Sequence, residues 1–130
     1  VIKYLYEIDR PVLGICLGMQ IMAKAYNGEV ISKFDNAKHN NTSEYVHKLK
    51  INKESLLFDI VQKNEILVNS RHTNYIPFTN FNVGAYSEDN IIEEIEDKNK
   101  KFFLGVQWHP ESLPNAKNSI NLFDRFISSL

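Results

Sequence analysis

Residues 11–20, PVLGICLGMQ, constrain the fold of this chain more than any other stretch. Pro11 to Ile15 is short and apolar throughout, which predicts a strand buried on both faces of a parallel sheet. From Cys16 to Tyr26 the apolar residues Leu17, Ile21 and Ala25, joined by Met22, recur at helical spacing, with Gln20, Lys24 and Asn27 opposite. Asn27-Gly28 supplies a C-terminal stop. A strand that turns at once into a helix leaves its corner residue strained. That residue is Cys16, the only cysteine, centred between Gly14 and Gly18, which are two of the five glycines. Small neighbours on both sides let the backbones pass, as in a nucleophile elbow.

Such a corner lifts the Cys16 side chain out of the carboxyl edge of the sheet. It also sets the sulfur at a helix N-terminus, where N–H groups and the dipole favour the thiolate. The Leu17 N–H would face the oxygen of a carbonyl under attack, as half of an oxyanion hole. Gln20, one turn further on, would reach a substrate held there. The plainer alternative is that Cys16 is a small buried hydrophobe and the glycines serve close packing.

A thiol nucleophile needs a base, and the base an orienter. Of the four histidines, His39 falls in the polar, turn-rich run DNAKHNNTSE (35–44) and reads as solvated. His47 lies in the alternating strand YVHKLKI (45–51) and reads as packed or at the surface. His72, in NSRHTNY, follows the strand EILVN (65–69) and borders a pocket in one reading, packs structurally in the other. His109 is the best candidate. It follows the buried strand FFLGVQ (102–107) at its carboxyl end, where open α/β sheets place their sites. Pro110 stiffens the turn, and Glu111 can hold one imidazole nitrogen while the other faces the sulfur. His39, His47 and Cys16 lack the spacing of metal ligands, so no metal is expected. Gly14 to Gly18 lacks the further glycine and Lys-Ser/Thr of a P-loop.

The rest of the chain reads as α/β. Residues 1–8 form a helix tail ended by Asp9-Arg10-Pro11, and ESLLFDIV (54–61) a short helix. FNVGAYS (81–87) and NIIEEIE (90–96) form an antiparallel pair joined through Glu88-Asp89-Asn90. From about Ala116 to Leu130 a closing helix places Ile120, Phe123, Ile127 and Leu130 on one face, with Asn115 as N-cap. A length of 130 residues suits one domain, and a net charge of -1 without a basic stripe speaks against a nucleic-acid surface. No apolar run is long enough to span a membrane. A single cysteine excludes an internal disulfide, and the default location is cytoplasmic. The chain opens on Val1 without an initiator methionine, so its start is expected to lie elsewhere.

GICLGMQ together with GVQWHPE resembles the class I glutamine amidotransferase superfamily, whose triad is Cys-His-Glu. The segments ESLLFDI, ILVNSRHTNYI, FNVGAYSEDNIIEEIE and FFLGVQWHPES are most similar to its gamma-glutamyl-gamma-aminobutyrate hydrolase branch. The resemblance implies a partial flavodoxin-like fold, a parallel sheet with the elbow plus antiparallel strands. It implies Cys16 as nucleophile, His109 as base, Glu111 as its orienter and Leu17 as oxyanion donor. Gln20 would contact the gamma-glutamyl part of the substrate, and Ser70, Arg71 and His72 would line the rim around its amino-acid end. Two positions depart from the branch. Thr73 replaces a second histidine, which bears on substrate choice, and Asp89-Asn90 replaces Asp-Gly, which bears on turn geometry.

The implied reaction is hydrolysis of gamma-glutamyl amide bonds, in a gamma-glutamyl amine or in glutamine, through a thioester and without a cofactor. Two alternatives stand beside it: a glutaminase subunit delivering ammonia to a synthetase partner, or an inactive binding or assembly module. A homodimer is the other expected association. Because the elbow begins at residue 14, residues 1–130 are expected to be the C-terminal part of one amidotransferase domain. The glycine-rich turn that would give the second oxyanion N–H is expected outside them, leaving the isolated fragment with little activity.

Overall fold

Short apolar runs, cut by Pro, Asn and Gly, become short elements. In the computed structural model, which describes residues 1–32 and 36–130, they follow in the order α1 (Ile2–Glu7), β1 (Val12–Ile15), α2 (Leu17–Ala25), β2 (Glu29–Ile31), β3 (Asn40–Asn41), β4 (His47–Ile51), α3 (Leu56–Val61), β5 (Glu65–Val68), β6 (Ser70–Arg71), β7 (Tyr75–Phe78), β8 (Asn82–Ser87), β9 (Ile92–Glu96), β10 (Phe103–Val106) and α4 (Lys117–Ser128). A 3-10 turn at Pro110–Ser112 precedes α4. Asp35, the first residue of the polar run expected as a loop, lies outside the described residues.

Six strands form one sheet in the order β1-β10-β9-β8-β4-β5. β1 and β10 run parallel, in the register Val12 to Phe103 and Ile15 to Val106, and the remaining neighbours are antiparallel. This agrees with the expected split between helix-separated and hairpin-joined strands. β1 is an edge: among the described residues only β10 pairs with it, and Leu13 and Ile15 are half-buried where burial on both faces was expected. Two small pairs, β2 with β7 and β3 with β6, stand outside the main sheet.

The sheet has a core on each side. Leu49, Leu57, Val68, Leu104, Trp108 and Leu122 pack beneath α3 and α4, while Met19, Met22, Ile76, Ile95 and Phe103 pack on the face that carries α2. Alternation along β10 explains the division, with Leu104 and Val106 facing one side and Phe103 the other. Gly105 belongs to the α2 side, where a Cβ would meet the Met19 Cβ at 3.0 Å. No helix among the described residues is long and apolar enough to cross a membrane.

The faces of two helices differ from those expected. α2 buries Met19, Gln20, Met22 and Ala23, while Leu17 and Ile21 are exposed. Glycines on the facing strands choose this orientation, since Gly14 and Gly105 leave space that Met22 and Met19 fill. α4 buries Ser119 and Leu122 and sets Phe126 against Phe102, leaving Ile120, Ile127 and Leu130 outward. Its orientation follows the core shared with α3, where Leu122 and Phe126 pack with Leu57 and Ile60. Its N-cap is Ala116 without a side-chain bond, not Asn115. His39, read as solvated, is fully buried, because the segment from Asn36 folds under the β8–β9 hairpin and reaches Asp89.

A buried carboxylate starts α3. Glu96 accepts the N–H of Leu56 at 2.8 Å and of Leu57 at 3.3 Å, beside the Ser55 cap that takes the Phe58 N–H. Free N–H groups at a helix start stabilise a carboxylate that burial would otherwise penalise.

Candidate active site

Cys16 occupies the corner between β1 and α2 with φ 52° and ψ -103°, a left-handed φ that non-glycine residues rarely adopt. Such a conformation costs on the order of 1–3 kcal/mol and persists only where its surroundings enforce it. Here the Cys16 N–H is bound by the Val106 carbonyl at 2.8 Å, and its own carbonyl accepts the Gln20 N–H at 3.2 Å. Gly14 is needed for the corner, since a Cβ there would meet the Met22 sulfur and lie 2.9 Å from the Gly18 carbonyl carbon. Gly18 is not, because a Cβ there would meet nothing within 4 Å. The expectation that both glycines let the backbones pass is thus corrected to one.

Parallel pairing brings His109 to the same edge. Ile15 lies opposite Val106, so Cys16 and the stretch Gln107-Trp108-His109 leave the carboxyl ends of adjacent strands. The His109 Nδ1 lies 2.8 Å from Glu111 Oε2, with the imidazole three-quarters covered and the carboxylate half-exposed. Asn69 fixes the backbone between them: its carbonyl oxygen accepts the His109 N–H at 2.7 Å, and its amide donates to the His109 carbonyl at 2.8 Å. This fully buried amide at the end of β5 was not singled out in the sequence. A polar residue closing a buried strand was the available signal.

Gln107 is the second residue that sequence reasoning passed over. Its side-chain amide donates to the Cys16 sulfur at 3.5 Å, and its oxygen accepts from Gln20 at 3.3 Å. Burial raises the Cys16 thiol above its usual pKa; bonds from the Leu17 N–H and Gln107 work against this, and the charges of Glu111 and Glu93 add to the rise. The helix N-terminus therefore does not prevail over burial, contrary to the thiolate expected from its position.

The residues expected around the substrate fall into different places. Gln20 is buried and donates to the Asn74 carbonyl at 3.4 Å as well as to Gln107. Ser70 is fully buried, its hydroxyl donating to the His39 carbonyl at 3.0 Å. His72 is buried too, with Nδ1 2.7 Å from the Asn74 carbonyl. Neither Ser70 nor His72 lines an open rim. Only Arg71 is exposed, reaching Ser112 Oγ at 3.2 Å beside Glu111.

An α/β sheet that carries a strained cysteine corner beside a glutamate-held histidine is the architecture of class I glutamine amidotransferases. The chain belongs to the Peptidase C26 family, which it matches over residues 1–111. It is 35% identical over 119 residues to a subunit of the glutamine-hydrolysing GMP synthase of Methanococcus aeolicus, covering 89% of this chain and 58% of the relative. It is 34% identical over 125 residues to the corresponding subunit of Archaeoglobus fulgidus, covering 95% and 64%. Its fold superimposes on that of a protein from Thermoplasma acidophilum described as a GMP synthase subunit, with a TM-score of 0.77 at 23% identity, covering 98% and 61%. The chain thus spans less than two thirds of the length of each of these relatives.

Proposed function

We propose that this chain hydrolyses the side-chain amide of glutamine and supplies the ammonia to a synthetase partner. The observation that carries the chemistry is the His109–Glu111 pair at 2.8 Å, set beside the strand that leads into Cys16. Glu111 engages Nδ1, which leaves Nε2 of His109 to serve the thiol. His109 takes the Cys16 proton as the sulfur attacks the amide carbon, and the Leu17 N–H steadies the oxygen that gains charge. The same proton passes to the departing nitrogen and ammonia leaves. Water then attacks the thioester, His109 accepts its proton and returns it to the sulfur, and glutamate is released. Burial raises the thiol pKa, so His109 is assigned to take the proton as the sulfur attacks.

Glutamine is favoured over other gamma-glutamyl amides by the relatives, which are subunits of glutamine-hydrolysing synthases. The match to Peptidase C26 and the motifs shared with the gamma-glutamyl-gamma-aminobutyrate hydrolase branch support a second reading, in which the leaving group is a primary amine. Glutamate release from glutamine and from a gamma-glutamyl amine, measured with and without the synthetase, separates them. Turnover of glutamine that rises when the synthetase is present supports the proposal. Faster turnover of the gamma-glutamyl amine, indifferent to the partner, replaces it with the second reading. If a glutamine-shaped diazoketone fails to label Cys16, both fall.

A further inference from the structure

We infer that His39, His47, His72 and Glu93 form a site for one divalent metal ion of the zinc class, distinct from the cysteine site. Three imidazole nitrogens converge on a single carboxylate oxygen: His39 Nδ1, His47 Nε2 and His72 Nε2 lie 3.4, 3.7 and 3.8 Å from Glu93 Oε2. The donor atoms of His39, His72 and Glu93 all lie within 4.8 Å of one another. Donors held tetrahedrally about 2.0–2.1 Å from zinc sit about 3.3 Å apart. Those three side chains are therefore close to ligand spacing, and His47, 3.7 Å from Glu93 Oε2, would join them by a small movement.

The far nitrogen of each ring is also engaged. His39 Nε2 faces the Asp89 carboxylate at 2.8 and 3.0 Å, and Asp89 is itself held by the Ser87 hydroxyl. His72 Nδ1 faces the Asn74 carbonyl at 2.7 Å, and His47 Nδ1 the Lys48 carbonyl at 3.4 Å. A carbonyl can only accept, so His47 and His72 keep their N–H outward and turn a lone pair toward Glu93. Metal-bound imidazoles are oriented in this way, by a carboxylate or carbonyl behind each ring. A cation placed between those lone pairs and the buried carboxylate would be attracted by both.

Three imidazoles and one carboxylate suit zinc, cobalt or nickel better than magnesium or calcium. Four protein donors leave no open position, which makes the ion structural. A cavity of about 340 Å³, lined by Lys38, His39, Val46, His47, Glu88 and Asp89, reaches the cluster from outside and gives an ion a way in. The bound ion would join the segment before β3 to β4, β9 and the residue after β6. From there it would brace the cysteine site, because the Glu93 backbone carbonyl accepts the Gln107 backbone N–H at 2.8 Å and the Asn74 carbonyl accepts from the Gln20 side chain.

Metal-stripped full chain titrated with Zn²⁺ by calorimetry, and with Co²⁺ by visible absorption, tests this without reference to activity. One equivalent should bind, with the strong cobalt bands of a four-coordinate site and a raised melting temperature. His47→Ala, at the half-buried rim, should abolish the four-coordinate spectrum while circular dichroism shows the fold intact. Asp89→Asn keeps all four ligands and should weaken affinity about 10- to 100-fold. Cys16→Ser should leave affinity unchanged. The absence of saturable binding overturns the inference. So does affinity untouched by both His47→Ala and Asp89→Asn, or affinity lost in Cys16→Ser.

Discussion

Gln107 holds the sulfur of Cys16 from the neighbouring strand, its amide donating across 3.5 Å while Gln20 fixes the other end of that amide at 3.3 Å. The contact joins the two strands that carry the proposed chemistry, and it opposes the rise in the thiol pKa. Gln107→Leu fills similar space without a donor. We expect kcat for the proposed glutamine hydrolysis to fall about 100-fold, the scale of a misplaced reacting group, with KM little changed. Since Gln107 is fully buried, a urea melt run alongside separates loss of positioning from loss of fold. A kcat within threefold of the parent would show that the sulfur needs no such support.

The thiol itself should be slow to alkylate near neutral pH. Burial lifts its pKa, so the thiolate fraction at a given pH is smaller than for an exposed cysteine. The rate of iodoacetamide labelling of Cys16 should climb with pH and bend above about 8.5, the value of a free thiol. A bend well below that value would mean that an ion pair outweighs burial at this corner. His109→Ala should reduce hydrolysis about 100- to 10,000-fold by removing the base.

Gly14 and Gly18 should respond to alanine in opposite directions. At Gly14 the new methyl meets backbone of α2, at 2.9 Å from Gly18 and 3.0 Å from Met19, so the helix must move. Gly14→Ala should destabilise the chain by about 1–3 kcal/mol and reduce labelling by the diazoketone. At Gly18 the space is open and the residue is helical, so Gly18→Ala should stabilise by up to about 1 kcal/mol. Chemical denaturation of the two variants measures both signs.

Glu96→Ala should cost about 3 kcal/mol in the same assay. It removes the acceptor of two N–H groups at the start of α3 and leaves them under cover. A loss below 1 kcal/mol would mean that the Ser55 cap suffices.

Local punctuation made much of this molecule legible. Pro11, the Gly14-to-Gly18 hinge and the Asp89-Asn90 turn mark their elements through constraints that act within a few residues, and Asn90 adopts the left-handed φ of 64° that such a turn requires. WHPE at the end of a buried strand likewise announced the His109–Glu111 pair. Helix orientation was less legible, because the face α2 buries is chosen by glycines on two strands, one of them nearly ninety residues away. Burial of His39 was invisible for the same reason: a polar loop looks solvated until the hairpin above it is in place. Asp89, read as a matter of turn geometry, turns out to hold an imidazole fifty positions earlier. Ligand spacing along the chain missed the histidine cluster because its members come from four separate segments. The pairs β2–β7 and β3–β6 are too short to show any alternation.

Among the described residues β1 hangs from β10 alone, with the Val12 and Cys16 amides bound to the Phe102 and Val106 carbonyls at 2.7 and 2.8 Å. In a parallel ladder the intervening Leu13 and Ile15 amides point the other way, toward no strand among the described residues. Deuterium should enter those two positions far sooner than their neighbours. The seat of Cys16 is therefore only as stiff as one seam, and anything that laid a strand along the unpaired side would steady the cysteine without touching it.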